Sequence, residues 1–113
     1  MDKIINEIIN ILDEDEEILS SLRCSIRTFL RTEVYRPGIL AATNKRFIFY
    51  AYNLGDAKLI EVINYEDMYS IEKKKILLKE YITIKGNFEN VLFSNILSDN
   101  SDEFIDFVNK ILD

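Results

Sequence analysis

Residues 37–52 read PGILAATNKRFIFYAY, two apolar runs that meet at Asn44 and Lys45. Aromatic and β-branched residues in these runs favour strands, and Asn44 tolerates the positive φ that a tight turn can require. The pattern therefore predicts a β-hairpin with its turn at Asn44 and Lys45. Pro37 and Gly38 stand directly before the hairpin and predict a turn that leads into it.

Further strand patterns lie on both sides of this hairpin. Apolar and polar residues alternate over residues 22–35, which predicts one long strand with Leu22, Cys24 and Ile26 on one face. Downstream, four segments rich in strand-forming residues are separated by polar or glycine-containing breaks: residues 58–65, 68–74, 76–85 and 91–96. This spacing is typical of a small sandwich or barrel, and it predicts seven strands.

A helical period marks each end of the chain. Residues 2–12 place isoleucines and a leucine on one side, and residues 101–112 repeat Phe104, Phe107 and Val108 at helical spacing. We expect the C-terminal helix to cap the open end of the barrel. The N-terminal stripe must be covered either by its own domain or by another chain, and the sequence leaves both open. In the second case, the partner-binding residues are Ile5, Ile8, Ile9 and Leu12.

Charge is distributed unevenly along the 113 residues, whose net charge is −6. Residues 1–17 contain seven acids and one base, residues 18–88 twelve bases and seven acids, and residues 89–113 six acids and one base. A basic centre between acidic ends matters more for partners than the net charge does. The chain has no apolar run long enough to span a bilayer and no secretory signal pattern, so we expect a cytoplasmic protein.

The residues usually used in catalysis are scarce. The chain has no histidine, and its one cysteine, Cys24, falls within an apolar pattern that predicts a small core residue. The acidic run of residues 13–17 lacks the spacing and glycine of a calcium loop, which favours a solvated loop. We therefore expect no enzyme, no metal, no cofactor and no small-molecule substrate.

Three parts of the sequence resemble one family. Three segments are similar to motifs of bacterial pleckstrin-homology (PH)-like domains, in particular the YokE-like group. They are GILAATNKRFIF (residues 38–49), INYEDMYSI (residues 63–71) and EFIDF (residues 103–107). The resemblance covers roughly residues 17–112. It implies a mainly β, PH-like fold, in which a seven-stranded antiparallel barrel or orthogonal sandwich is capped by a C-terminal helix. The extra N-terminal amphipathic helix lies outside it.

We expect residues 1–113 to form a single domain. It consists of an N-terminal helix and acidic segment (residues 1–16), the barrel (17–97) and the capping helix (98–113). The resemblance implies a binding module without naming its ligand, because PH-like folds bind lipids, peptides and proteins alike.

Two functions fit the sequence. The first is a protein-interaction or self-association module that uses a sheet edge or the N-terminal helix. The second is weak binding of anionic phospholipid headgroups at the inner face of the membrane, for which the candidate residues are Arg27, Arg31, Arg36, Lys45 and Arg46. Alternatively, these bases pair across strands with Glu33, Glu61 or Glu72. Nucleic acid is disfavoured because the basic centre is flanked by acidic ends and carries no known binding motif.

Overall fold

The computed structural model describes residues 3–29, 33–52, 59–97 and 100–112. These residues form a seven-stranded antiparallel sheet with one helix at each end of the chain. In chain order the elements are α1 (Lys3–Ile11), β1 (Ile18–Phe29), β2 (Glu33–Thr43), β3 (Arg46–Ala51), β4 (Ile60–Asn64), a 3-10 turn (Tyr65–Asp67), β5 (Met68–Ile76), β6 (Lys79–Gly86), β7 (Val91–Ser94) and α2 (Ser101–Leu112). The predicted mainly β fold with seven strands, a C-terminal helix and an extra N-terminal helix is confirmed.

The strand order is β4-β3-β2-β1-β7-β6-β5, so β4 and β5 lie at the two ends of the sheet. Strand β1 connects the two halves, because it pairs with β2 along its length and with β7 through Ser25 and Ile26. The predicted central hairpin is confirmed as β2 and β3, with its turn at Asn44 and Lys45. Residues 53–56, Asn-Leu-Gly-Asp, also predict a turn from their composition, and they lie outside the described residues.

The predicted single strand over residues 22–35 is wrong. The chain reverses between Phe29 and Glu33, and Pro37 and Gly38 lie inside β2, opposite Ser25 and Cys24 of β1. Alternation continues through both strands, so it could not mark the reversal, and the stretch between them carries no glycine or proline. Gly38 instead permits close approach of β3: a Cβ there would collide with the Tyr50 carbonyl oxygen and lie 2.7 Å from the Ala51 Cα.

Apolar side chains form two separate layers. The inner core lies between the sheet and α2, where Phe47 stacks on Phe104 with ring centroids 5.7 Å apart. The outer cluster lies on the other face of β2 and β3, and α1 covers it with Ile4 and Ile8. Adjacent residues of β3 therefore serve different layers, since Phe47 enters the inner core and Ile48 the outer cluster. Both faces of the central hairpin are buried as a result.

Candidate functional site

A groove runs beside β4, the strand at one end of the sheet. Its larger cavity has a volume of about 470 Å³ and apolar walls formed by Ile26, Leu59, Ile63 and Val91. These residues come from β1, from β4 and the residue before it, and from β7. The fold thus leaves an apolar space between one end strand of the sheet and the strands that connect its two halves.

A second cavity of about 220 Å³ continues this space along β4. The two cavities share Glu61, Ile63, Glu89 and Val91, and together we call them the β4 groove. Four consecutive residues of β4, Glu61 through Asn64, line the second cavity. Successive side chains of a strand point to opposite faces, so a space that touches all four lies at the edge of the strand. Among the described residues, β4 pairs only with β3, which leaves that edge without a neighbouring strand.

Charges of both signs line the groove. Arg27 and Arg36 lie in the wall of the larger cavity together with Glu61 and Glu89. The structure therefore brings together two of the five predicted anion-binding residues, and it places two carboxylates beside them. A phosphate group entering here would meet acids as well as bases, which weakens the electrostatic attraction that a purely basic pocket would supply.

The other predicted cations lie elsewhere. Lys45 and Arg46 are at the far end of β2 from Arg36, roughly 30 Å away at the usual rise of a strand. Lys45 Nζ lies 2.5 Å from Asp15 Oδ1 and 3.5 Å from Asp13 Oδ2, and its hydrogen bond to Asp15 raises the pKa of the lysine. The predicted cross-strand pairing with Glu33, Glu61 or Glu72 is therefore wrong for Lys45. It is also wrong for Arg46, which pairs with Glu16. Arg31 lies outside the described residues.

In the acidic segment, residues 13–17, four of the five acids are exposed as the composition predicts, and Glu16 is the exception. The Glu16 side chain is fully buried, and it accepts hydrogen bonds from Arg46 Nε (3.0 Å) and Nη2 (2.9 Å) and from Thr43 Oγ1 (2.5 Å). Burial by itself would raise the pKa of Glu16, but these bonds and one from the Asp13 N–H (3.1 Å) lower it to about 2. Like-charge repulsion within the run is offset because two of its acids face Lys45 and a third faces Arg46.

Comparison with known proteins places this geometry in a family. The family model for "Bacterial PH domain" matches residues 12–110. This chain belongs to the bacterial PH domain family. A search of curated proteins finds no match to it.

Solved structures agree with this bacterial PH domain in fold. The C-terminal domain of an unknown protein from Leishmania infantum is 19% identical, with a TM-score of 0.62 over 90% of this chain and 86% of that one. The PH domain of USP37 is 11% identical, with a TM-score of 0.54 over 81% of this chain and 95% of that one. At these identities the likeness shows the fold alone.

Helix α1 ends at Ile11 and so precedes the residues that match the family model. Of the four residues predicted to bind a partner, Ile8 is fully buried in the outer cluster, and Ile5 and Leu12 pack partly buried against it. Ile9 is 49% exposed. The domain itself thus covers most of the apolar stripe, and Ile9 is the member of the set that faces solvent.

Cys24 is buried in the inner core of the bacterial PH domain, as predicted. Burial raises the pKa of its thiol to about 12, against a smaller lowering by a backbone hydrogen bond with Leu40. The thiolate is the reactive form of cysteine, so this thiol is poorly suited to act as a nucleophile at neutral pH. Within the described residues, no helix is both long and apolar enough to cross a bilayer.

Sequence reasoning missed the β4 groove. Glu61 was predicted only as an ion-pair partner, and Glu89 and Val62 were not singled out. Whether a strand lies at the end of a sheet depends on which other strands pair with it. The residues of the strand itself do not predict this order. In the structure β4 is short and Val62 is 44% exposed, and neither property can be read from the sequence of the strand.

Proposed function

We propose that this bacterial PH domain is a non-enzymatic interaction module that binds an extended segment of a protein partner along the free edge of β4. The observation that carries the proposal is the run of four consecutive β4 residues lining one cavity. An extended peptide can hydrogen-bond to such an edge with its backbone and place alternate side chains in the adjoining space.

The chemistry of the groove supports a peptide. Its apolar walls suit a side chain such as leucine or valine, and burial of one such side chain contributes about 2 kcal/mol. The larger cavity is lined by two bases and two acids, which suits a ligand that carries both signs of charge: Arg27, Arg36, Glu61 and Glu89. A protein segment fits this description better than a phosphate headgroup does.

The test needs a peptide whose backbone is required for binding. Peptides of about ten residues are selected from a random displayed library, and their dissociation constants are measured by titration into the purified domain. N-methylation of alternate peptide residues removes the N–H groups that face one side of a strand. We expect methylation on the side that faces β4 to weaken binding at least about tenfold, the worth of one or two hydrogen bonds, and methylation on the other side to have little effect.

Substitutions in the domain locate the site. Glu61→Lys and Glu89→Lys reverse exposed charges in the groove, whereas Glu103→Lys makes the same change on α2 and serves as the control. The groove variants should change peptide affinity and the control should not. If no peptide is selected, if both methylation patterns act equally, or if Glu103→Lys acts like Glu61→Lys, the proposal fails.

A second candidate is the weak binding of anionic headgroups through the predicted basic residues. It is favoured by the placement of Arg27 and Arg36 in one cavity wall. Soluble inositol phosphate is the direct probe, because it carries the headgroup chemistry without a bilayer. Arg36→Gln should abolish binding if this candidate is correct, and Glu61→Gln should strengthen it by removing a nearby repulsive charge.

A further inference from the structure

The hairpin of β5 and β6 ends in three exposed apolar side chains. Ile76 pairs with Lys79, so Leu77 and Leu78 form a two-residue turn. Ile76 is 57% exposed, Leu77 92% and Leu78 91%. Single exposed apolar residues are normal on a protein surface, but three in succession at the tip of a hairpin form a contiguous apolar patch.

Leucine is also unfavourable here for a conformational reason. Leu77 has a φ of 57°, in the left-handed region that is unfavourable for a residue with a Cβ. Two-residue hairpin turns normally place glycine, asparagine or aspartate at such a position. Leu77 is therefore unfavourable both in its solvent exposure and in its backbone conformation. Because its side chain is 92% exposed, packing within the fold does not offset this cost.

Lysines surround this tip. Lys74, Lys75 and Lys79 are exposed, and they lie within three residues of the apolar patch. The acids nearby are engaged with other bases: Lys73 lies 2.6 Å from Asp102 and 3.6 Å from Glu80, and Lys85 lies 3.3 Å from Glu72. Within the described residues, the ion pairs around the hairpin thus leave its tip with a local positive charge, although the whole chain is acidic.

We propose that this hairpin inserts into the surface of an anionic phospholipid bilayer, with Ile76, Leu77 and Leu78 entering the boundary of the acyl chains and Lys74, Lys75 and Lys79 contacting headgroups. Apolar residues at the centre and lysines at the margin match the layering of a bilayer surface, where hydrocarbon lies beneath anionic groups. A protein partner would instead need a pocket for a protruding turn. The insertion site is separate from the β4 groove, since none of residues 74–79 lines either cavity of the groove and the tip is at the opposite end of β5 from the turn that joins β5 to β4.

Flotation of the full chain with lipid vesicles tests this proposal. The vesicles contain phosphatidylcholine alone or with about a third of phosphatidylserine, at about 0.1 M salt, where repulsion from distant acids is screened. The wild-type chain should float with the anionic vesicles and not with the neutral ones. Leu77→Asn combined with Leu78→Asn should lower the bound fraction at least about tenfold, because two apolar side chains are lost and asparagine suits the turn.

Two further variants make the test specific. Replacing Lys74, Lys75 and Lys79 with glutamine should also reduce binding at least about tenfold and remove its dependence on salt. Tyr69→Asn is the matched control, because Tyr69 is a 70% exposed apolar residue near the other end of β5, roughly 20 Å along the strand. It should leave binding unchanged.

Several outcomes would overturn the proposal. They are no flotation of the wild-type chain with anionic vesicles, equal binding by the double asparagine variant, or an equal loss with Tyr69→Asn. Light scattering adds a fourth: a wild-type dimer that becomes monomeric in the double asparagine variant would show that the tip contacts protein. Peptide affinity at the β4 groove is measured separately, so failure of one proposal leaves the other standing.

Discussion

Arg46 donates two hydrogen bonds to Glu16, from Nε to Oε2 at 3.0 Å and from Nη2 to Oε1 at 2.9 Å. Glu16 lies in the acidic segment between α1 and β1, and Arg46 begins β3, so the pair joins parts of the chain that are 30 residues apart. A two-point bond between a guanidinium and a carboxylate is strong and directional. It holds the acidic segment against the central hairpin, and through that segment it fixes where α1 can pack.

Stability should fall in acid because of Glu16. Its pKa is about 2 in the folded chain, compared with 4.5 for an unperturbed glutamate. Between pH 2 and pH 4.5 the unfolded chain therefore binds more protons than the folded chain. The contribution of Glu16 is therefore fully present above pH 4.5 and is lost as the pH falls towards 2, with a total of about 3 kcal/mol. Urea unfolding of wild type and Glu16→Gln over this pH range measures it. A stability difference between the two that does not shrink in acid would contradict the assignment.

Arg46→Ala should destabilise the fold by about 2–3 kcal/mol, because it leaves the buried Glu16 carboxylate without its charged partner. Lys45→Ala is the control, since Lys45 pairs with exposed acids and such pairs contribute little to stability. Adding Glu16→Gln to Arg46→Ala should recover part of the loss by removing the unpaired charge. Equal effects of the two single variants in chemical denaturation would exclude a special role for Arg46.

Residue patterns predicted the fold better than they predicted the contacts between distant segments. The residues around Asn44 predict its turn. They do not predict that the Asn44 side chain accepts a hydrogen bond from the Glu17 N–H at 2.8 Å, because Glu17 is 27 residues away. The burial of Glu16 was not evident, because a carboxylate in an acidic run is solvated unless a base from elsewhere reaches it. The end of the first strand is predicted wrongly for a related reason. The alternation of apolar and polar residues shows which face of the sheet each side chain takes, and it continues from β1 into β2 without a break although the chain reverses between them.

The candidate site was predictable only in part. Arg27 and Arg36 were identified as charged positions on the barrel, but their grouping with Glu61 depends on where β4 lies in the sheet. The apolar tip at Leu77 and Leu78 could have been found, since an isoleucine and two leucines between lysines are visible in the sequence. The sequence instead predicts a strand that begins at Ile76, because isoleucine favours strands and no glycine, asparagine, aspartate or proline marks the turn at residues 77 and 78.

Helix α1 should contribute to stability through Ile8. Ile8→Ala removes a fully buried side chain from the outer cluster and should cost about 2–4 kcal/mol. Ile9→Ala makes the same change at a neighbouring position that is 49% exposed, and it should cost about 0.5 kcal/mol or less. Thermal and urea unfolding compare the two. Similar costs would mean that α1 does not pack on β2 and β3 in solution.

Gly38→Ala should destabilise the fold by about 1–3 kcal/mol, because its Cβ would meet the backbone of β3 at Tyr50 and Ala51. Backbone atoms in a paired strand cannot move aside as a flexible side chain can. Pro37→Ala at the preceding position is the comparison, and its expected cost is about 0.5–1 kcal/mol from added freedom of the unfolded chain. A Gly38→Ala variant as stable as wild type would show that β2 and β3 separate easily at this point.

Leu77→Asn should stabilise the isolated domain by about 0.5–1 kcal/mol, because asparagine tolerates the positive φ that leucine adopts at a cost. Leu78→Asn is the matched control: Leu78 is equally exposed, and Leu77 is the one of the two that has a positive φ. The control should change the free energy of unfolding by less than about 0.5 kcal/mol. Urea unfolding without lipid makes the measurement independent of vesicle binding. If Leu77→Asn is destabilising, the turn is not strained by leucine, and the conformational part of the membrane proposal loses its basis. If it is stabilising and also weakens flotation, the residue that reduces stability is the one that holds the domain to the bilayer, the trade-off expected where function needs a locally unfavourable residue.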